Sequence, residues 1–341
     1  MLYITVINVI SALSVVGLHT NGCFWTFSKE SWWFSANIIE SVLYFAVPLF
    51  FMVTGATLLD YKERYDTKTF FVRRFRKTVV PFLFWSFIGI VFRIYFEKNL
   101  TWSYLNVPYV VNGLFNRSFN TVYWFFPSLF SLYFAIPLFA SIRQEQKIAV
   151  LKYLAVTCFF INYLIPFLIT VFKLKIHFSI MVVVGSNYLL YLILGYLFRY
   201  INFTTRQKRI IYGMAFLGLL LHVCGTYVLS MEAGKVIRDY KGYNNVPCFL
   251  YSMGIYLLIK ENANHINTLS SGRRLLGLKN YTFAIYLLHW YVMRVLVRVF
   301  EINVHLLVYR VGGIFVISII CVCLTYVIRK IPVIGKWILP A

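Results

Sequence analysis

The chain is a succession of apolar stretches separated by short segments that hold most of its charged residues. A helix needs about 20 apolar residues to cross a bilayer, so runs near that length predict membrane-spanning helices. The predicted runs lie at about residues 2–20, 36–58, 79–96, 122–142, 148–171, 178–198, 210–229, 246–259, 282–300 and 306–328. The eighth run is the shortest. The pattern predicts an all-α integral membrane protein with about ten transmembrane helices, in one polytopic domain over residues 1–341.

Composition supports the same class. Of the 341 residues, 60% are hydrophobic and 13% are charged, which is too apolar for a soluble domain. The first run has no basic leader and no small-residue cleavage site after it, so we interpret it as a retained helix. The six cysteines are scattered without metal-ligand spacing, and we expect neither a metal site nor a disulfide framework.

The basic residues predict the orientation. With the N-terminus in the cytoplasm, most of the 33 lysines and arginines fall in loops on the inner side. Because inner loops are enriched in these residues, we expect both termini in the cytoplasm. Topology and anionic lipids then account for the net charge of +22, and nucleic-acid binding is not needed to explain it.

An ionisable residue, His19, lies in the otherwise apolar first run. Eleven residues upstream is Asn8, which falls within about 20° of the same helix face and about 16 Å away along the axis. Ser11, Ala12 and Val15 complete a small and polar stripe between them. His19 is therefore a candidate catalytic group facing a cavity. The alternative is a histidine that only hydrogen-bonds to a neighbouring helix.

A dense cationic stretch precedes the third run. We call Arg73, Arg74, Arg76 and Lys77 the basic segment. Guanidinium groups bind phosphates in a bidentate manner, so the segment is a candidate dock for a phosphorylated cofactor. The alternative is an anchor for lipid headgroups.

Five motifs, in this order along the chain, resemble those of the membrane-bound acyltransferases of type 3. The matching segments are VISALSVVGLHTNG ending near His19, AVPLFFMVTGATLL with Thr54 in the position of a family serine, RRFRKTVVP with Arg73 and Arg76 as an Arg-x-x-Arg element, VYWFFPSLFSLYFAIPLF around Trp124, and YTFAIYLLHW with Tyr286 and His289. The resemblance covers nearly the whole chain. It implies transfer of an acetyl or similar acyl group from acyl-coenzyme A to a surface sugar, in the plasma (inner) membrane of a bacterium.

One departure from the family concerns Asn8, which stands where the family usually carries an arginine. A neutral amide positions a ring or a carbonyl, but it supplies no positive charge. Arg294 and Arg298 are candidates to replace that charge, and the alternative is that both reach to the lipid headgroups.

Acyl transfer to a hydroxyl needs a base or nucleophile, donors for the oxyanion and exclusion of water. His19 is the candidate base. Glu40, the only acid deep in the second run, is a candidate to orient it; the alternatives are a buried arginine partner or a position near the interface. Asn8 is the third candidate catalytic residue, as a hydrogen-bond donor, and the candidate substrate and oxyanion residues are Thr54, Trp124, Tyr286 and His289.

The sequence thus predicts an O-acetyltransferase that uses acetyl-coenzyme A, held by the basic segment, to modify a cell-surface or lipid-linked glycan. Since no esterase-like domain follows the last run, we expect donor and acceptor to meet in the membrane part. We expect membrane lipids as further partners, and neither nucleic acid nor a metal. Two alternatives remain: a polysaccharide exporter or flippase, and a non-catalytic component of a glycan assembly complex.

Overall fold

The computed structural model describes residues 1–116, 119–185, 188–332 and 334–340, which contain seventeen α-helices and no β-strand. The helices are α1 (Leu2–Thr20), α2 (Ser31–Leu43), α3 (Ala46–Leu58), α4 (Thr67–Arg74), α5 (Val80–Phe92), α6 (Val107–Phe115), α7 (Phe125–Ala140), α8 (Gln144–Cys158), α9 (Ile165–Val171), α10 (Leu189–Tyr200), α11 (Thr205–Leu220), α12 (Thr226–Ala233), α13 (Val246–Thr268), α14 (Ser270–Leu276), α15 (Thr282–Val299), α16 (Leu307–Ile328) and α17 (Ile334–Ile338).

Eight helical stretches in the described part of the chain are long and apolar enough to cross a membrane. They are Leu2–Thr20, Ser31–Glu63, Thr67–Glu97, Thr121–Ala140, Gln144–Val171, Thr205–Ala233, Thr282–Val299 and Leu307–Ile328. Several of them are shorter α-helices joined through π-helical turns, as α4 is joined to α5 by Phe75–Val79. The predicted all-α membrane architecture is confirmed.

Two of the ten predicted runs differ in the structure. The run at 178–198 is wrong at its start, because α10 begins only at Leu189 and has 12 residues. Its first half contains the β-branched residues Val182, Val183 and Val184, which are weak helix formers, and residues 186 and 187 lie outside the described part. The run at 246–259 forms the first part of α13, which has 23 residues in total and ends in a polar stretch.

Helix α1 is the centre of the bundle. It packs against α2, α3, α13, α15 and α16. The helix carries no charged residue apart from the titratable His19, and Gly17 lets the neighbouring Leu43 and Ile314 side chains approach its backbone closely. The contact between α1 and α15 matters for the site, since each helix carries one of the two predicted histidines.

Helices α3 and α10 approach each other at two glycines. A Cβ atom on Gly55 would lie 1.8 Å from the carbonyl oxygen of Leu192, and one on Gly195 would lie 1.8 Å from that of Met52. Only glycine fits at such distances, so the two residues set the spacing of this helix pair. The contact also positions Thr54, the residue before Gly55, which the sequence predicts as a site residue.

Candidate active site

A cavity of about 710 Å³ lies at the His19 end of α1, and we call it the His19 cavity. His19 in the last turn of α1, Glu40 on α2 and Trp124 directly before α7 contribute to its wall. Exposed Trp25 and Arg238 also line it, so the cavity reaches the protein surface. It is large enough for a small organic substrate.

His19 in the wall of this cavity forms a pair with His289 on α15. Their ring centres are 5.0 Å apart and the rings are stacked at 30°. His289 is fully buried and its Nδ1 donates to the carbonyl oxygen of Tyr286 at 2.7 Å, whereas His19 is partly exposed. His289 Nε2 is buried without a hydrogen-bond partner among the described residues. Two positively charged rings at this distance would repel each other, so at most one of the two histidines carries a positive charge at a time.

A second cavity, of about 210 Å³, lies nearer the N-terminal end of α1, and we call it the Asn8 cavity. Asn8, Thr54 and Thr78 line it. It shares two wall residues, Phe125 and Tyr286, with the His19 cavity. The two ends of the predicted stripe on α1 therefore line different cavities, Asn8 the smaller one and His19 the larger one. The shared residues Phe125 and Tyr286 form an aromatic partition between the two cavities.

The hydroxyl groups of the predicted oxyanion donors are already engaged. Thr54 Oγ1 donates to the Phe50 carbonyl oxygen at 2.8 Å, and Tyr286 OH donates to that of Val122 at 2.6 Å. Each hydroxyl has only one proton, so it must leave its carbonyl before it can donate to a substrate. Asn8 is about 16 Å from His19 along α1, too far to contact a carbonyl attacked beside His19.

The basic segment lies on α4 and the π-helical turn that follows, so it is helical and not a loop. The guanidinium of Arg73 lies 4.3 Å from the centre of the Tyr65 ring, and that of Arg76 lies 5.4 Å from a ring of Trp337. Lys77 is exposed.

Arg74 contacts residues in the wall of the Asn8 cavity. Its guanidinium lies 5.9 Å from the ring centre of Tyr133, which lines that cavity. Its carbonyl accepts a hydrogen bond from Thr78, another lining residue. Arg74 Nε is buried and has no hydrogen-bond partner in the described residues.

Arg294 and Arg298 do not take the place of the family arginine beside Asn8. Arg294 Nη2 pairs with Glu97 Oε1 at 2.7 Å, and Arg298 Nη1 donates to the Phe96 carbonyl oxygen at 2.6 Å. Both side chains are exposed and tie α15 to the turn after α5. The hypothesis that they replace that charge is therefore wrong.

Glu40 contacts a residue that the sequence did not single out, Asn21. Asn21 Nδ2 donates to Glu40 Oε2 at 3.3 Å, and its Oδ1 accepts from Arg310 Nη1 at 3.4 Å. No hydrogen bond joins Glu40 to His19 among the described residues, so the structure does not support the orienting role. The signal for Arg310 was available, since it is an arginine inside the last apolar run.

Stacked aromatic rings line part of the His19 cavity. The Tyr44 and Tyr243 rings are 4.3 Å apart at 10°, and the Tyr243 and Trp124 rings are 5.3 Å apart at 21°. All three residues line the cavity, and we call them the aromatic wall.

A family model described as "Acyltransferase domain" matches residues 1–328. No curated protein and no solved structure matches the chain. The motifs that suggested a resemblance lie within the matched residues.

Proposed function

The chain belongs to the membrane acyltransferase family whose model spans residues 1–328, and we propose that it moves an acetyl or similar group from acyl-coenzyme A to a hydroxyl of a glycan. The observation that carries this proposal is the pair of cavities that meet at Phe125 and Tyr286, with His19 in the larger one. In the predicted topology the Asn8 cavity faces the cytoplasm, where acyl-coenzyme A is made, and the His19 cavity faces outward.

The donor enters from the side of the basic segment. Arg74 pairs with phosphate oxygens of coenzyme A, because it lies beside Tyr133 in the wall of the Asn8 cavity and has an unpartnered Nε among the described residues. The narrow pantetheine arm extends through that cavity toward Tyr286. Asn8 hydrogen-bonds to an amide of the arm, which is a positioning role that needs no positive charge.

His19 acts as the base in the transfer step. It takes the proton of the acceptor hydroxyl, and the oxygen attacks the thioester carbonyl to form a tetrahedral intermediate. The carbon–sulfur bond then breaks, and the imidazolium returns the proton to the leaving thiolate of coenzyme A. Tyr286 is the candidate oxyanion donor closest to the histidine pair, provided that its hydroxyl turns away from Val122.

The acceptor occupies the His19 cavity. Its aromatic wall suits the apolar face of a sugar ring, while Asn244 and Asp239 offer hydrogen-bonding groups near the entrance. We propose a cell-surface or lipid-linked glycan as the acceptor and the bacterial plasma membrane as the location. An exporter needs a path wide enough for the sugar itself, and the Phe125–Tyr286 partition argues against one.

The proposal predicts that His19→Gln removes acyl transfer while the protein stays folded. Loss of a general base lowers the rate by about 10² to 10⁴-fold. The assay uses purified protein, radiolabelled acetyl-coenzyme A and envelope glycans stripped of acyl groups by mild alkali, prepared from the source organism. His177→Gln, at an exposed histidine outside both cavities, is the matched control. Near-normal transfer by His19→Gln would refute the role of His19, and no transfer by the unmodified protein would refute the function.

A further inference from the structure

Glu40 is a buried carboxylate in the wall of the His19 cavity. Its side chain is only 2% exposed, and the transfer step described above does not use it. Asn21 donates to Oε2, which occupies one of the roughly four acceptor positions of a carboxylate. Keeping such a charge within a membrane protein is costly, so the remaining acceptor capacity points to a ligand.

Lys241 is a second buried charge beside this site. It is 2% exposed, and its Nζ lies 3.2 Å from His222 Nε2. The ammonium also lies 4.5 Å from the ring centre of Tyr44, a member of the aromatic wall. Burial lowers the pKa of Lys241, and attraction to the Glu40 carboxylate opposes that shift. Lys241 therefore places a positive charge against the Tyr44 side of the cavity, where it attracts the Glu40 carboxylate.

Charges of both signs surround the cavity. Among its lining residues Glu40 and Asp239 are acidic and Arg238 is basic, while the buried cations Lys241 and Arg310 contact Tyr44 and Asn21 beside Glu40. An anionic acceptor would meet the Glu40 carboxylate, whereas neighbouring hydroxyl groups of a sugar would donate to it. The aromatic wall offers a flat surface beside these groups.

We propose that Glu40 is an acceptor-binding residue that receives hydrogen bonds from adjacent hydroxyls of an uncharged sugar unit, and that Lys241 is a positioning residue that stabilises its charge. This inference rests on the proposed function for the identity of the site. The sugar ring packs on the aromatic wall, and the hydroxyl to be acylated points toward His19.

The test compares Glu40→Gln, Lys241→Met and the double variant, with Glu232→Gln at an exposed acid as the control. The probe is the stripped envelope glycan, and its binding is followed by quenching of tryptophan fluorescence, since Trp124 is in the cavity wall. Glu40→Gln should raise the half-saturating glycan concentration about tenfold to a hundredfold. Lys241→Met should act in the same direction, and Glu232→Gln should have no effect. Affinity for coenzyme A should be unchanged in all variants.

The double variant distinguishes a role of Glu40 in acceptor binding from a purely structural role of the Glu40 and Lys241 charges. If the two residues serve only as a buried charge pair, removing both charges should restore the affinity of the unmodified protein for the glycan. If Glu40 binds the acceptor, the double variant keeps the defect of Glu40→Gln. Restored affinity in the double variant, unchanged affinity in Glu40→Gln or absence of glycan binding by the unmodified protein would overturn the inference. Glu40-dependent binding without acyl transfer would instead refute the proposed function alone.

Discussion

At the scale of single residues, Arg74 differs from its neighbours in the basic segment. Arg73 lies over Tyr65 and Arg76 over Trp337, whereas Arg74 lies beside Tyr133, which lines the Asn8 cavity. We therefore expect Arg74→Gln to weaken coenzyme A binding by about one to two decades, because a charge-assisted hydrogen bond contributes roughly 1.5 to 3 kcal/mol. Calorimetric titration of the detergent-purified protein with coenzyme A measures the change.

Arg73→Gln is the matched control for this prediction, since it removes the same charge one residue away. It should change the affinity by much less. Equal losses in the two variants would mean that the segment acts through its overall charge, as expected for attraction to anionic lipids.

The sequence identified the members of the histidine pair from two distant motifs. His19 and His289 are 270 positions apart; His19 was selected as an ionisable residue in an apolar run and by a family motif, and His289 by a family motif alone. Their stacking and the partners of Glu40 were not predictable, because they depend on how α1, α2, α15 and α16 pack. The Arg-x-x-Arg spacing pointed to Arg73 and Arg76 and not to Arg74, because spacing alone does not tell which guanidinium lies near a cavity.

At the scale of elements, the contact between α3 and α10 leaves no room for a side chain at its two glycines. Gly55→Ala and Gly195→Ala should each lower stability by about 1 to 3 kcal/mol or more, because the new methyl group meets a backbone carbonyl. Thermal unfolding in detergent, followed by circular dichroism, measures the loss.

Gly213→Ala provides the control for these variants. Gly213 is exposed on α11, and a Cβ atom there would meet no atom within 4 Å. Alanine is favoured over glycine in a helix by about 1 kcal/mol, so this variant should be neutral or slightly more stable. A loss of stability as large as that of Gly55→Ala would contradict the close-packing explanation.

The positions of most membrane helices follow from apolar run length, but their internal breaks do not. The second run divides into α2 and α3 around Tyr44, and the third contains π-helical turns. Such breaks arise where neighbouring helices compete for backbone and side-chain contacts, which a hydropathy pattern does not record. The late start of α10 was predictable from the local sequence, because β-branched residues, which are weak helix formers, precede it.

At the scale of the whole molecule, the proposal requires the two cavities to face opposite sides of the membrane. An impermeant maleimide should label Lys235→Cys in intact cells and should label Lys77→Cys only after permeabilisation. Both positions are exposed, so access to the reagent depends on the side of the membrane. The unmodified chain, with its native cysteines, gives the background.

The opposite labelling pattern would place the basic segment outside the cell. The donor would then have to approach from a compartment where acyl-coenzyme A is not made, and the proposed direction of transfer would be wrong.

The partition formed by Phe125 and Tyr286 also has an electrical consequence. In the proposed topology the two cavities open to opposite sides of the membrane, so most of a membrane voltage would fall across the thin apolar layer between them. A single charge that crossed this layer would exchange about 2.3 kcal/mol with the voltage for every 100 mV. In the proposed transfer the acyl group moves outward while the hydroxyl proton moves inward to the thiolate, so no net charge crosses and the voltage neither drives nor opposes the reaction.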